Sequence, residues 1–164
     1  MRSDETARPA AAEPTDPDVD LHDREQRREL RRSHHGVLMV IAVGGSLGAV
    51  ARFGAAQVWP TAADGFPWTT LAVNASGCLA IGIFLVAVTE VFSAHALLRP
   101  FIGTGVLGGF TTFSTYCVDI ERLITHGRAG TALTYLTATA VAAVVAVTAG
   151  AWSTRRILAK WSES

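Results

Sequence analysis

A run of hydroxyl-bearing and aromatic residues interrupts an otherwise apolar segment between residues 108 and 116. Gly108 and Gly109 are followed by three rings and five hydroxyl side chains, in the order Phe-Thr-Thr-Phe-Ser-Thr-Tyr. Such a stretch makes a poor lipid-facing helix, because backbone that loosens at membrane depth must place its polar groups against protein or water. Breaks of this kind also present carbonyls or amides to ions. The run therefore predicts a break in a membrane helix and points to ion permeation.

Other polar residues lie within apolar surroundings. The Asn74 amide has two N–H donors and one acceptor, so it suits either a dehydrated anion or an interhelical hydrogen bond. Tyr135 and Thr139 share one helical face, as either a hydroxyl track or ordinary packing. Arg52 either snorkels to the membrane interface or gives a vestibule a positive potential.

The sequence offers no arrangement for enzymatic chemistry. It has no Ser/His/Asp, Cys/His or paired-carboxylate pattern and no metal-ligand spacing, and its two cysteines suit packing. The acids Glu90, Asp119 and Glu121 fall near predicted helix ends, which favours solvated positions at the interface. A net charge of zero gives no case for nucleic-acid binding. We expect neither an enzyme nor a nucleic-acid partner.

Four apolar runs must position these residues: 37–59, 69–92, 101–124 and 132–152. Each exceeds the roughly 20 helical residues that cross a bilayer. A soluble bundle would need polar positions every three or four residues, whereas 141–151 contains only Thr148 and Gly150. The sequence predicts an all-α membrane protein whose channel domain, 37–152, has four transmembrane helices with a break in the third. A charged, disordered tail is expected at 1–36 and a basic cytoplasmic tail at 153–164.

The basic residues predict the orientation of the chain. Nine flank the side that holds both termini, against three on the opposite side: Arg24, Arg27, Arg28, Arg31, Arg32, Arg99, Arg155, Arg156 and Lys160 against Arg52, Arg122 and Arg128. Because loops rich in arginine and lysine stay in the cytoplasm, we expect cytoplasmic termini in a multi-pass protein of the cell membrane.

Three motifs in these runs occur together in a recognisable order. They are Gly44-Gly45-x-x-Gly48-Ala49-x-x-Arg52-Phe53, Thr70-Leu71-x-Val73-Asn74-x-x-Gly77 and Gly105-x-x-Gly108-Gly109-Phe110-Thr111-Thr112-Phe113-Ser114-Thr115. With these motifs the chain resembles the Fluc (CrcB) fluoride channels, over about the whole of 37–152. The resemblance implies a passive fluoride channel that lowers cytoplasmic fluoride by export.

The family resemblance also implies an assembly and a set of roles. It implies an antiparallel dimer with two pores, and a central sodium ion held by the backbone carbonyls matching Gly108 and Thr111. The fluoride path would include the positions matching Asn74, Phe113, Ser114, Tyr116, Tyr135, Thr139 and Arg52. Neutral donors and ring edges suit such a path, since conduction requires binding that is favourable but weak. A secondary anion transporter and a non-conducting partner subunit are the alternatives.

Tyr116 departs from the family, which usually has a second phenylalanine at this position. The added hydroxyl would donate to fluoride, cap a carbonyl or narrow the path. The departure is either a tolerated variant that keeps the ring or a sign that this subunit is specialised within a heterodimer. The arginine bias indicates one fixed orientation, which favours a heterodimer with an oppositely inserted subunit over a homodimer.

Overall fold

The computed structural model describes residues 24–62, 65–91 and 97–162, and every regular element in those ranges is helical. The chain divides into two units, Met1–His35 and Gly36–Ser164, and the second holds all residues of the candidate site. The first helix begins at Arg24, inside the predicted tail, and the tail's first 23 residues lie outside the described residues.

Within the described ranges, five helices follow one another. Helix α1 is Arg24–Val58, and α2 is Trp68–Val86 with a π-helical continuation at Ala87–Val91. Helix α3 consists of the π-helical segment Pro100–Leu107 and the α-helical turn Gly108–Phe110. Helix α4 is Ser114–Thr125 and α5 is Ala129–Ser162.

Local sequence explains where several helices begin and end. Pro67 precedes α2 and Pro100 opens α3, positions at which proline's missing N–H is not required. After α4, Gly127 has a φ of +72°, which favours glycine. Its N–H donates to the Ile124 carbonyl at 2.9 Å, and the Arg128 N–H donates to the Leu123 carbonyl at 2.8 Å. This Schellman motif turns the chain from α4 into α5.

Three of the helices are long and apolar enough to cross a membrane, judged by length and composition: His35–Val58, Trp68–Glu90 and Ala129–Trp161. The predicted third span, 101–124, is covered instead by α3 and α4. The two parts of α3 have 8 and 3 residues, and α4 has 12 residues. Neither reaches the roughly 20 residues that cross a bilayer alone.

Glycines bring the helix backbones into direct contact. A Cβ atom at Gly105 would lie 3.0 Å from the Gly44 Cα, so α1 and α3 touch at these two residues. A Cβ atom at Gly150 would lie 3.2 Å from the Ile83 nitrogen, which places α5 equally close to α2. Small residues permit such close packing in membrane helices. The glycine-rich face of α1 is therefore a packing surface, as its sequence predicts.

A small apolar core fixes α4 against its neighbours. Leu123, Ala132 and Tyr135 are buried together, and they are surrounded by the partly buried residues Phe66, Leu71, Tyr116 and Ile120. The core joins α4 to α5 and to the start of α2, and it thereby positions the polar residues described next.

Candidate functional site

Residues 111–113 separate α3 from α4, and their hydrogen bonds differ from those of a helix. In a continuous helix the N–H of residue i+4 donates to the carbonyl of residue i. The Thr112 N–H instead donates to Asn74 Oδ1 at 2.8 Å, and the Thr115 N–H donates to Thr112 Oγ1 at 3.1 Å. Thr111 is extended, with φ −72° and ψ 154°. The carbonyls of Gly108 and Thr111 thus lose their helical partners.

Asn74 holds this stretch from α2. Its Nδ2 donates to the Thr112 carbonyl at 2.9 Å while its Oδ1 accepts from the Thr112 N–H, so one amide satisfies both backbone groups of one residue. The side chain is buried. The interhelical hydrogen bond predicted as one alternative for Asn74 is therefore present. An amide nitrogen carries two N–H groups, and the second has no acceptor among the described residues.

Arg52 contacts the other side of the same stretch. Its Nε donates to the Gly109 carbonyl at 3.2 Å and the side chain is half-buried. The last carbonyls of any helix lack intrahelical partners, and Gly109 lies at the end of α3. Arg52 therefore joins α1 to the end of α3, a contact that neither sequence alternative described.

The start of α4 carries a group of hydroxyls beside an exposed ring. Thr112 Oγ1 lies 3.0 Å from Thr115 Oγ1 and 3.3 Å from Ser114 Oγ. Ser114 is exposed, and 77% of the Phe113 surface is exposed. These two predicted site residues thus lie on the open surface of a single subunit.

A groove runs between α2, α4 and α5 past this stretch, and we call it the Asn74 groove. Its volume is about 360 Å³, and it is lined by Asn74, Cys78, Ile81, Thr111, Thr112, Phe113, Tyr116, Thr139, Ala140 and Ala143. It brings together four residues predicted for the fluoride path: Asn74, Phe113, Tyr116 and Thr139. The Thr139 hydroxyl is buried and has no hydrogen-bond partner among the described residues.

Tyr116 forms part of a row of aromatic rings. Its ring centroid lies 5.8 Å from that of Phe113 and 5.3 Å from that of Tyr135. Its hydroxyl donates to the Leu136 carbonyl of α5 at 3.0 Å. Of the three roles predicted for this hydroxyl, the one that this contact matches is capping of a carbonyl.

A second polar cluster lies one helical turn from the groove. Thr70 Oγ1 donates to Asp119 Oδ2 at 2.7 Å, and the fully buried Tyr135 donates to the same oxygen at 3.4 Å. Thr70 precedes Asn74 by four residues, as Tyr135 precedes Thr139, so each pair shares one helix face. Tyr135 therefore contacts Asp119 and does not line the Asn74 groove.

Asp119 corrects an expectation drawn from the sequence. Its position near a predicted helix end favoured a solvated acid, but only 7% of its surface is exposed. The reason is that Asp119 and Leu123 share the face of α4 that packs against α2 and α5. A buried carboxylate requires hydrogen-bond donors, which Thr70 and Tyr135 supply. Thr70, Thr112 and Asp119 were not predicted as site residues, although the spacing of Thr70 and Asn74 is visible in the sequence.

Acidic, histidine and cysteine side chains do not assemble into a metal site in the described ranges 24–62, 65–91 and 97–162. A site built from backbone carbonyls would not use those side chains. Sodium binding by the carbonyls of Gly108 and Thr111 stays a prediction, in keeping with the preference of hard cations for oxygen ligands.

Comparison with known proteins places these motifs in a wider group. Residues 39–151 match the sequence model of the family described as CrcB-like protein, Camphor Resistance (CrcB). The chain is 57% identical over 133 residues to the fluoride-specific ion channel FluC 1 of Streptomyces coelicolor, covering 81% of this chain and 86% of that protein. It is 52% identical over 124 residues to FluC 2 of Streptomyces avermitilis, covering 76% and 78% of the two chains. It is 47% identical over 119 residues to FluC 2 of Nocardia farcinica, covering 73% and 85%.

Proposed function

The chain belongs to the CrcB family of ion channels, and from that premise we propose that it is a subunit of a fluoride channel. In this proposal it lets fluoride leave the cytoplasm passively across the cell membrane. The relatives named above carry the name fluoride-specific ion channel, and the long apolar helices suit a multi-pass membrane protein.

The observation that carries the proposal is the chemistry of the Asn74 groove. None of the described residues that line it carries a charged side chain. Its polar groups include the Thr139 hydroxyl, which has no partner within the described ranges, and the second N–H of Asn74. Both groups can donate to an anion. The positive edges of aromatic rings add weaker attraction. Neutral donors bind a small anion without trapping it, as conduction requires.

A sodium ion at the dimer interface is the second part of the proposal. The Gly108 and Thr111 carbonyls, with their counterparts in another subunit, would hold it. What supports this is that the N–H groups that would pair with them in a helix donate elsewhere, to Asn74 and Thr112. Carbonyl oxygens suit a hard cation. Replacing sodium by N-methylglucamine on both sides of the membrane should lower fluoride flux, and returning sodium should restore it.

The assembly of the channel subunits is the third part of the proposal. We infer an antiparallel dimer in which residues 111–113 divide a single membrane span, with a heterodimer favoured over a homodimer. The exposure of Phe113 supports a partner surface at the start of α4. The arginine bias supports one fixed orientation with cytoplasmic termini. Arg99 also donates to the Val88 carbonyl at 3.0 Å, so it caps the end of α2 besides contributing to that bias.

A secondary transporter is the second candidate, and the buried Asp119 is the observation that favours it. A proton-coupled transporter needs a buried acid that can exchange its proton, and Asp119 is buried among hydroxyl donors. A channel does not require such an exchange.

Fluoride efflux from liposomes tests these proposals together. The purified chain is reconstituted with and without an oppositely inserted candidate partner, and fluoride is followed with an ion-selective electrode. Fast electrogenic efflux supports the channel, and slow turnover driven by a pH gradient supports the transporter. If neither preparation moves fluoride, the proposed function is wrong. If the chain alone forms conducting antiparallel homodimers, a heterodimer is not required.

A further inference from the structure

We propose that the Tyr116 hydroxyl is a strut that sets the width of the Asn74 groove, which makes Tyr116 a positioning residue for anion selectivity. The proposal rests on the proposed function, since selectivity has meaning only for a conducting groove. In this proposal the hydroxyl donates its hydrogen bond to the protein backbone, and only the ring faces the ion path.

Tyr116 lies between two helices. Its backbone belongs to α4, whose 12 residues are separated from α3 by the non-helical residues 111–113. Its hydroxyl donates to the Leu136 carbonyl of α5 at 3.0 Å. The side chain therefore connects two helices while its ring lines the groove between them.

This connection restrains the position of the Tyr116 ring. A tyrosine side chain moves mainly by rotation about χ1, which swings the hydroxyl through several ångströms. A hydrogen bond from that hydroxyl to a helix backbone opposes the swing. Because the Tyr116 ring also lies 5.8 Å from the Phe113 ring, a fixed Tyr116 supports the neighbouring part of the aromatic wall.

The hydrogen bond to Leu136 also determines which groups an anion in the groove would meet. The hydroxyl has one proton, and in this geometry that proton is directed at Leu136. Fluoride in the groove would meet the ring and the donors of Asn74 and Thr139 rather than the phenol. A wall of fixed position discriminates against larger halides, whereas a ring that can swing lets the groove widen. The strut should therefore favour fluoride over chloride.

The test compares two ways of breaking the same hydrogen bond. Tyr116→Phe removes the donor. A backbone ester between Leu136 and Thr137, introduced with the α-hydroxy analogue of threonine, weakens the acceptor carbonyl. Each change should lower the fluoride-to-chloride permeability ratio in liposomes by roughly three- to tenfold, the range that one neutral hydrogen bond supports. The combined variant should be no worse than either alone, because both remove one bond.

An ester between Val144 and Val145 is the matched control. The Val144 carbonyl also accepts a side-chain hydroxyl, from Thr148 at 2.8 Å, but both valines are exposed. This control should leave the permeability ratio unchanged. An effect of Tyr116→Phe without an effect of the Leu136 ester would place the hydroxyl on the ion and overturn the strut. No effect of either change would overturn it as well.

A spectroscopic measurement separates failure of the strut from failure of the proposed function. The chain has two tyrosines, so Tyr135→Phe leaves Tyr116 as the sole phenol. The infrared C–O stretch of ring-labelled tyrosine reports whether that phenol donates a hydrogen bond, and the Leu136 ester should shift it even in protein that moves no ion. If the wild-type chain conducts fluoride but this band does not respond, the strut is wrong while the channel stands.

Discussion

At the scale of single residues, one amide replaces the backbone bonds that a helix would have made. Asn74 both donates to and accepts from Thr112, and it is buried while doing so. An unpaired buried N–H or carbonyl costs about 1–3 kcal/mol, so this pairing decides whether the extended conformation of residues 111–113 is stable. Asn74 also lines the groove, so under the proposed function one side chain would have both a structural and a functional role.

Substituting Asn74→Ala tests this double role. The variant leaves both backbone groups of Thr112 without their partner, so the free energy of unfolding should fall by about 1–3 kcal/mol. Fluoride efflux should fall at least about a hundredfold, because the donor and the local geometry are lost together. Thermal unfolding in detergent and liposome efflux measure the two effects. Ser76→Ala, on an exposed position of the same helix, should change neither.

Thr139 allows the two roles to be separated. Its buried hydroxyl has no partner among the described residues, so Thr139→Val removes an unsatisfied polar group and should leave stability equal or slightly higher. If the hydroxyl donates to fluoride, efflux should nevertheless fall by roughly tenfold or more. Unchanged efflux would remove Thr139 from the ion path. Thr137→Val is the control, since Thr137 donates to its own helix at Leu133 and is exposed.

At the scale of helices, close backbone packing holds the groove walls at a fixed separation. The groove lies between α2, α4 and α5, and α2 contacts α5 through Gly82 and Gly150. At these glycines any side chain would meet the opposing backbone, which cannot move aside as a flexible side chain could. The separation of α2 from α5, two of the three helices that border the groove, is thus set by glycines outside the groove lining.

Gly150→Ala is the corresponding prediction. The new Cβ would press on the Leu79 carbonyl and lie 3.2 Å from the Ile83 nitrogen, so α5 must move away from α2. Overpacking of this kind costs about 1–3 kcal/mol of stability. Gly130→Ala introduces the same methyl group into the same helix where nothing lies within 4 Å, and it should be neutral or stabilising. Equal melting temperatures for the two variants would contradict this account of the packing.

At the scale of the whole molecule, the proposed orientation rests on the distribution of charge along the chain. The proposed cytoplasmic side carries most of the basic residues, and on that side Arg155 forms an ion pair with Glu90 at 2.9 Å. This pair is largely exposed and contributes little to stability. We therefore expect Arg155 to act mainly through membrane insertion, where lysine and arginine bias sets the orientation.

Reporter fusions test the orientation directly. Green fluorescent protein at the C-terminus should be fluorescent, and alkaline phosphatase at the same position should be inactive, because the terminus is proposed to lie in the cytoplasm. Activity of both fusions would indicate dual orientation and would remove the main argument for a heterodimer. Fusions to the loop at residues 60–67 should give the opposite pattern.

The sequence by itself determined the all-helical class, three of the apolar helices and the family. Hydropathy and motif spacing are properties of neighbouring residues, so they can be read without knowing which helices touch. The positive φ of Gly127 at the end of α4 is also a local requirement, which glycine meets without steric cost.

Only the tertiary structure decided which polar residues meet. The pairing of Asn74 with Thr112 and of Arg52 with Gly109 depends on how α1, α2 and α3 pack, and those residues are distant in sequence. Distance from a helix end did not reveal the burial of Asp119, because burial depends on the helix face and its neighbours. The same holds for Tyr116, whose sequence left three roles open until α5 supplied the Leu136 carbonyl. Hydrogen bonds between helices form between residues that are close in space. The pattern of residues along the chain does not show which residues those are.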